Sequence, residues 1–317
     1  MQALAARRPK LRPRTSAAFA PAAITNFFEI NYNSSPHPIG ATGGGYILSK
    51  GTRSKASFTP ASETKVVTTV NGDSEYNART TRRAVELLLS AGRTPGLVRV
   101  VQKVETPIGA GFGASAASST SAVYAAAAAA RISMPKQDVA VFAHRAEILE
   151  QTGLGTVSVV FDAVGAGAIT VPGEPGQARF VTVPVPKGTR IVTAFIAPFD
   201  KKDALSSKPV SERINRLGRR ALEGFLADQT LETLAHEGER FSSGLGLESP
   251  EVRKLIGLAK SAGARYASQN MIGYSVHSIT DSDRSERVSR SMARLGVRVD
   301  VFEVGSRKAG ALEPSRR

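Results

Sequence analysis

Apolar and polar positions along the chain follow two periods, and the changeover between them predicts the elements. Residues 16–30, closing in Ile24-Thr25-Asn26-Phe27-Phe28-Glu29-Ile30, read as a strand and turn, and Tyr46-Ile47-Leu48 as a short strand. Residues 64–70 alternate as a strand does, and so does the run from Gly96 to Glu105. Helical spacing appears over 78–91, through Ala84, Leu87, Leu88 and Ala91, and again over 135–151, through Val139, Phe142, Ala143, Ala146 and Leu149. Between them an alanine-dominated helix runs from about Ser115 to Arg131. Its small side chains indicate close packing.

A short helix and a glycine-rich strand follow over 157–171, and strands are expected at 178–185 and 190–197. The Pro184-Val185-Pro186-Lys187-Gly188 stretch between these strands marks a domain boundary. Beyond it the pattern gives helices at about 209–226, 228–241 and 250–263, a strand at 274–279, a helix near 283–294 and a strand at 297–304. That order reads as α+β, with helices laid on an antiparallel sheet. The expected divisions are a basic disordered tail at 1–15, one domain at 16–186, a second at 187–304 and a basic tail at 305–317.

A chain of 317 residues is long enough for about two domains. With no cysteine, thiolate catalysis, disulfides and zinc–sulfur sites are excluded, and four scattered histidines lack metal-ligand spacing. Lys+Arg 42 against Asp+Glu 27 leaves +15, a field that suits phosphate-bearing ligands. Part of the excess lies in Arg7-Arg8-Pro9-Lys10-Leu11-Arg12-Pro13-Arg14 and in the last residues. These runs lack interleaved aromatics, so no nucleic-acid partner is read from them. No stretch has the apolar length of a membrane span, the N-terminal apolar run is short and broken by Pro21, and a cytoplasmic location is expected. A homodimer stays open.

The chemistry concentrates at Pro107-Ile108-Gly109-Ala110-Gly111-Phe112-Gly113-Ala114-Ser115-Ala116-Ala117, a glycine-dense turn that opens the alanine helix. Glycines let backbone approach an anion, and the unpaired amides of a first helical turn point at it. A Walker A loop is excluded because no Gly-Lys-Ser or Gly-Lys-Thr tripeptide occurs. A Rossmann fingerprint can only be forced onto Gly111, Gly113 and Ala116, since Pro107 and Ile108 spoil the tight turn that motif needs.

The pattern Pro-x-Gly-x-Gly-Phe-Gly-x-Ser-Ala-Ala resembles the second motif of the GHMP kinases, named for galactokinase, homoserine kinase, mevalonate kinase and phosphomevalonate kinase. Within that superfamily, four further stretches are most similar to archaeal pantoate kinases. They are Ala18-Phe19-Ala20-Pro21 through Ile30, the glycines at 43–45, Ala143-His144-Arg145-Ala146-Glu147 with Thr152-Gly153-Leu154-Gly155, and Asn270-Met271-Ile272-Gly273-Tyr274-Ser275-Val276. The resemblance implies an N-terminal nucleotide-binding α+β domain followed by a C-terminal ferredoxin-like α/β sandwich. It also implies phosphorylation of a small hydroxy acid by ATP with Mg2+, with pantoate as acceptor on the archaeal route to coenzyme A; the alternatives are another hydroxy acid such as mevalonate, or a nucleotide-binding protein with weak or no catalysis.

By the same resemblance Pro107, Gly109, Gly111, Gly113, Ser115 and Ala116 hold the ATP phosphates. Ser115 and Glu147 are the implied catalytic pair and share the magnesium ion, which wants few hard oxygen ligands beside phosphate. Glu150 is expected at the surface, and Gly273 approaches the phosphates from the second domain.

Two departures stand out. Related kinases carry an aspartate where this chain has Thr156, and Asp162, six residues on, is rotated by about 240° around a helix, onto another face. Homoserine kinases also work without that aspartate. Pantoate kinases also place arginines around the segment matching Pro38 to Gly45, where this chain has Pro38, Ile39 and Thr42. Ala22-Ala23 stands where they have Gly-His.

Overall fold

The computed structural model describes residues 13–31, 40–198, 208–271 and 273–312. Most of the N-terminal basic run, the Ser34–Pro38 loop, Ile39, Ile272 and the terminal Arg316-Arg317 lie outside these residues.

In chain order the first half contains β1 (Arg14–Asn31), β2 (Gly40–Pro60), β3 (Lys65–Val70), α1 (Arg79–Ala91), β4 (Gly96–Val104), α2 (Ala114–Ala130), α3 (Lys136–Leu149), α4 (Thr156–Asp162), β5 (Ala166–Val171) and β6 (Arg179–Val183). The second half contains β7 (Thr189–Ala197), α5 (Lys208–Ala227), α6 (Leu231–Leu245), α7 (Pro250–Ser261), β8 (Tyr266–Gln269), β9 (Tyr274–Asp281), α8 (Ser282–Ala293), β10 (Arg298–Glu303) and β11 (Gly310–Leu312).

The long β1–β2 ribbon organises a seven-stranded sheet in the order β11-β1-β2-β4-β3, with β5 added to β2 and β6 to β5. Register shifts between Pro21 and Ala23 and between Thr25 and Phe27 bend β1. Pro21 has no N–H to give the ladder there. Gly43-Gly44-Gly45, which the sequence left open between a turn and a ligand-facing backbone, runs inside β2, paired to β1 on one edge and β5 on the other. A β-carbon at Gly44 would meet the Phe27 ring at 2.7 Å, so the strand must stay bare there.

The sheet departs from the expected antiparallel pattern at one place. β3 and β4 are parallel, because α1 lies between them in sequence and supplies the crossover that parallel neighbours need.

α2 is buried almost throughout and packs against β1, β2, α1 and α3. Alanine is the residue that permits this, since it lets a helix axis approach on all sides with no side-chain entropy to lose.

The second sheet is antiparallel in the order β10-β7-β9-β8. Val192, Ala194 and Val276 pack with Val252 and Leu255 of α7 and Val288 and Met292 of α8 in one core. Another core joins the two sheets, running from Ile24, Phe27 and Tyr46 to Phe225, Phe241 and Phe302.

Described strands reach into both of the expected tails. Arg14 and Thr15 already belong to β1, opposite Phe58 and Ser57. Residues 305–312 pack on the sheet: the Gly305 amide donates to the Ile47 carbonyl, its carbonyl accepts from the Gly165 amide, and β11 pairs with Ala17–Phe19 of β1. Arg307 lies over the Phe19 ring at 4.9 Å and Arg53 at 5.3 Å, so the aromatic face is covered by two guanidinium planes. Apolar and stacking contacts thus override the local basic composition. Among the described residues no helix is long and apolar enough to cross a membrane.

Candidate active site

The glycine turn lies between β4 and α2, and both sides of the molecule hold it. The Ala23 amide donates to the Phe112 carbonyl at 3.1 Å, tying the turn to β1. From the other side, Asn270 Nδ2 donates to the Ala110 carbonyl at 3.3 Å, and Ser275 Oγ donates to the same oxygen. Gly111 and Gly113 have φ of +78° and +60°, a region that L side chains rarely enter. A β-carbon at Gly111 would sit 2.9 Å from the Met271 carbonyl oxygen, and one at Gly113 would sit 2.8 Å from Thr156 Cγ2.

Gly113 caps α2 without any side-chain hydrogen bond, and the first turn carries no acidic residue. The amides there therefore keep their positive end available to an anion. Ser115 Oγ is buried and has no hydrogen-bond partner. A buried hydroxyl without a partner costs free energy, which a bound oxygen or ion would recover.

A cavity of about 310 Å³ is lined by Gly109, Gly111, Gly113, Ser115, Ser118 and, across from them, Glu147 of α3. Glu147 is 2% exposed and accepts from Thr152 Oγ1 at 3.4 Å, while Thr152 is itself 3.1 Å from Thr80 Oγ1. Gly153 packs so close that any β-carbon would run into the Glu147 carboxylate. Ser115 and Glu147, 32 positions apart in sequence, thus face one space.

The remaining expected positions fall as follows. Pro107 and Ala116 are buried but do not line the cavity, and Ala116 belongs to the alanine core. Glu150 turns to Arg79 and Arg83, at 3.7 and 3.4 Å. Gly273 braces the turn, where a β-carbon would come 3.1 Å from the Ala110 carbonyl carbon. Asp162 pairs with Lys308 at 2.7 Å and lines neither this cavity nor its neighbour.

Sequence reasoning missed Tyr76, Asn77, Arg79, Thr80 and Gln151, which complete the cavity wall. The one local signal was Asp73, whose carboxylate caps the turn at Glu75 and Tyr76.

A second cavity of about 590 Å³ adjoins the first and is lined by β1, β2, β5 and the 151–156 segment. The two share Thr25, Gln151, Thr152, Gly153, Thr156 and Met271. Glu147 is the one carboxylate among the described residues that line either.

His277 stands behind the turn. Burial pushes its imidazole down to about 3, so it is neutral at neutral pH. Its Nδ1 is 2.7 Å from Asn270 Oδ1, an acceptor, which makes Nδ1 the protonated nitrogen and turns the Asn270 amide toward Ala110.

A helix start open to an anion, on one cavity with a buried carboxylate and beside a second cavity, is an arrangement able to hold a phosphate-bearing ligand and a divalent cation. Residues 79–163 match the family model described as the GHMP kinases N terminal domain. The chain is 27% identical over 286 residues to a pantoate kinase of Methanospirillum hungatei, covering 88% of this chain and 91% of that one. It is 23% identical over 197 residues to a mevalonate kinase of Pyrococcus abyssi, covering 58% and 59%. In fold it resembles a solved phosphotransferase related to the CoA biosynthesis pathway, with a TM-score of 0.84 and 24% identity over 95% of this chain and 99% of that one.

Proposed function

We propose that the chain transfers the γ-phosphoryl group of ATP to the terminal hydroxyl of pantoate. The observation that carries the reading is the placement of unpartnered Ser115 Oγ and buried Glu147 on one cavity that opens onto a second. The relative from Methanospirillum hungatei supports the choice of acceptor over the shorter match to a mevalonate kinase.

The donor set fits a magnesium ion: one hydroxyl, one carboxylate, and room for phosphate oxygens. Bound there, the ion would neutralise charge on the phosphate oxygens. The amides of Gly113 to Ser115 hold the phosphates, and the Asn270–Ala110 contact keeps that turn in place. Thr25 and Thr156, at the junction, bring hydroxyls to the place where the acceptor oxygen meets phosphorus. The acceptor oxygen forms a bond to the γ-phosphorus, the bond to the bridging oxygen breaks, and ADP leaves. With no second carboxylate lining the junction among the described residues, the hydroxyl proton passes to a phosphate oxygen or to water. Phosphoryl transfer through a loose transition state tolerates this, because positioning and charge neutralisation do most of the work. Lack of a base lowers the rate by roughly 10²–10⁴-fold.

The test is a coupled ADP-release assay with ATP, Mg2+ and pantoate, run beside mevalonate. Turnover of pantoate is expected. Folded protein that releases no ADP above the acceptor-free blank would remove pantoate as substrate.

A further inference from the structure

Three buried side chains of the four-stranded sheet converge on the Ala110 carbonyl. Asn270 and Ser275, which both donate to it, face each other across the β8–β9 turn, where the Asn270 amide donates to the Ser275 carbonyl at 2.9 Å. His277 is 3% exposed and sits opposite Ser268 in the β8–β9 ladder. Its Nε2 is 3.4 Å from Ser268 Oγ, and its ring meets the Tyr46 ring edge-on at 5.7 Å, so the imidazole is held from two sides. Its Nδ1 lies 2.7 Å from Asn270 Oδ1. A carboxamide is planar, so gripping its oxygen also aims its nitrogen, here at Ala110.

A trans peptide points its carbonyl and the following amide in opposite directions. With the Ala110 carbonyl turned to Asn270 and Ser275, the Gly111 amide faces away from them. The local backbone does not fix this choice, because Gly111 has no β-carbon to resist the peptide plane turning over. Turned over, the plane would exchange that amide for a carbonyl oxygen, which repels an anion. Gly109, Gly111 and Gly113 all have positive φ, and the residues between them do not, an alternation that gathers successive amides into an anion-binding concavity.

We propose that His277 is a positioning residue for nucleotide binding. From the second sheet it fixes the Asn270 carboxamide, Asn270 fixes the Ala110 carbonyl, and the Gly111 amide is thereby presented to the nucleotide phosphates. His277 lines neither cavity and acts through Asn270. This rests on the nucleotide reading of the glycine turn and on no choice of acceptor.

The test titrates the full chain with a non-hydrolysable ATP analogue and Mg2+ in a calorimeter, beside melting curves. His277→Asn keeps an N–H near the place of Nδ1, whereas His277→Gln carries it toward the place of Nε2. The glutamine variant is expected to bind the analogue about tenfold more weakly, and the asparagine variant within about threefold of the parent. On an Asn270→Ala background, His277→Gln should add less than about twofold, because the group it acts through is gone. Folded glutamine variant that binds as tightly as the parent would overturn the inference and leave the kinase reading standing. So would an asparagine variant as weak as the glutamine one, or losses that multiply on the Asn270→Ala background. Should the variants not fold, nitrogen–proton correlation spectra of the parent's imidazoles decide. A His277 proton on Nδ1, with a resonance that shifts on saturation with the analogue, is expected; a proton on Nε2, or an unmoved resonance, would overturn the inference. A parent that does not bind the analogue would remove the nucleotide reading, and this inference with it.

Discussion

On the proposed function Ser115 and Glu147 act at the scale of single side chains, and each has a distinct expected loss. If the proposed function holds, Ser115→Ala removes a buried, unpartnered hydroxyl from a residue that lines the first cavity, so kcat/KM should fall by about 10²-fold while the thermal midpoint holds. Kinetics beside a melting curve would check it. Glu147→Gln keeps the shape but removes the charge, and the magnesium concentration for half-maximal rate should rise roughly 10–100-fold. A magnesium titration at saturating ATP measures this.

His277 adds a pH dependence. Its folded-state value of about 3 lies below the ordinary 6.5, so between these limits the unfolded chain binds the proton that the folded chain refuses. Stability is complete above about pH 6.5 and is lost on acidification, at up to about 1.4 kcal/mol per pH unit for this one proton. Denaturant melts from pH 7 to 5 should show the slope, and His277→Gln should flatten it.

At the scale of elements, the glycine turn is held by two neighbours in a backbone shape that only glycine takes without strain. Gly113→Ala places a β-carbon against Thr156 in a left-handed backbone, a strain of roughly 1–3 kcal/mol that the turn must relieve by moving. KM for ATP should rise about tenfold or more. Isothermal titration with a non-hydrolysable ATP analogue would measure it. The motif was legible because its glycines, serine and proline are contiguous and each marks a local backbone demand. Its supports were not legible. Asn270 and Ser275 fall in a stretch that the resemblance singled out, but that both reach the Ala110 carbonyl, with His277 behind Asn270, is a set of contacts across the chain that no spacing encodes. The triple glycine stayed open in the same way, since only the pairing of β2 with both β1 and β5 shows why side chains are excluded there and why its backbone lines the second cavity.

At the scale of the whole molecule, the C-terminal segment closes the fold. Removing residues 305–317 strips β11 from β1 and uncovers Phe19, which is 2% exposed beneath Arg53 and Arg307. Exposing that ring costs roughly 2–3 kcal/mol, and a drop in Tm of about 5 °C is expected by calorimetry. Basic composition pointed to a disordered tail because charge content reports solubility, whereas pairing to an open strand edge depends on where β1 ends up.

By itself the sequence determined most of the elements, the glycine turn and the resemblance to GHMP kinases, because these depend on backbone preferences and spacings within a few residues of one another. Only the tertiary structure decided that Ser115 and Glu147 line one cavity, that Asp162 is spent on Lys308, and that a second cavity adjoins the first. Those are distances across the chain, set by how helices and sheets pack their apolar faces, and no short stretch of residues encodes them.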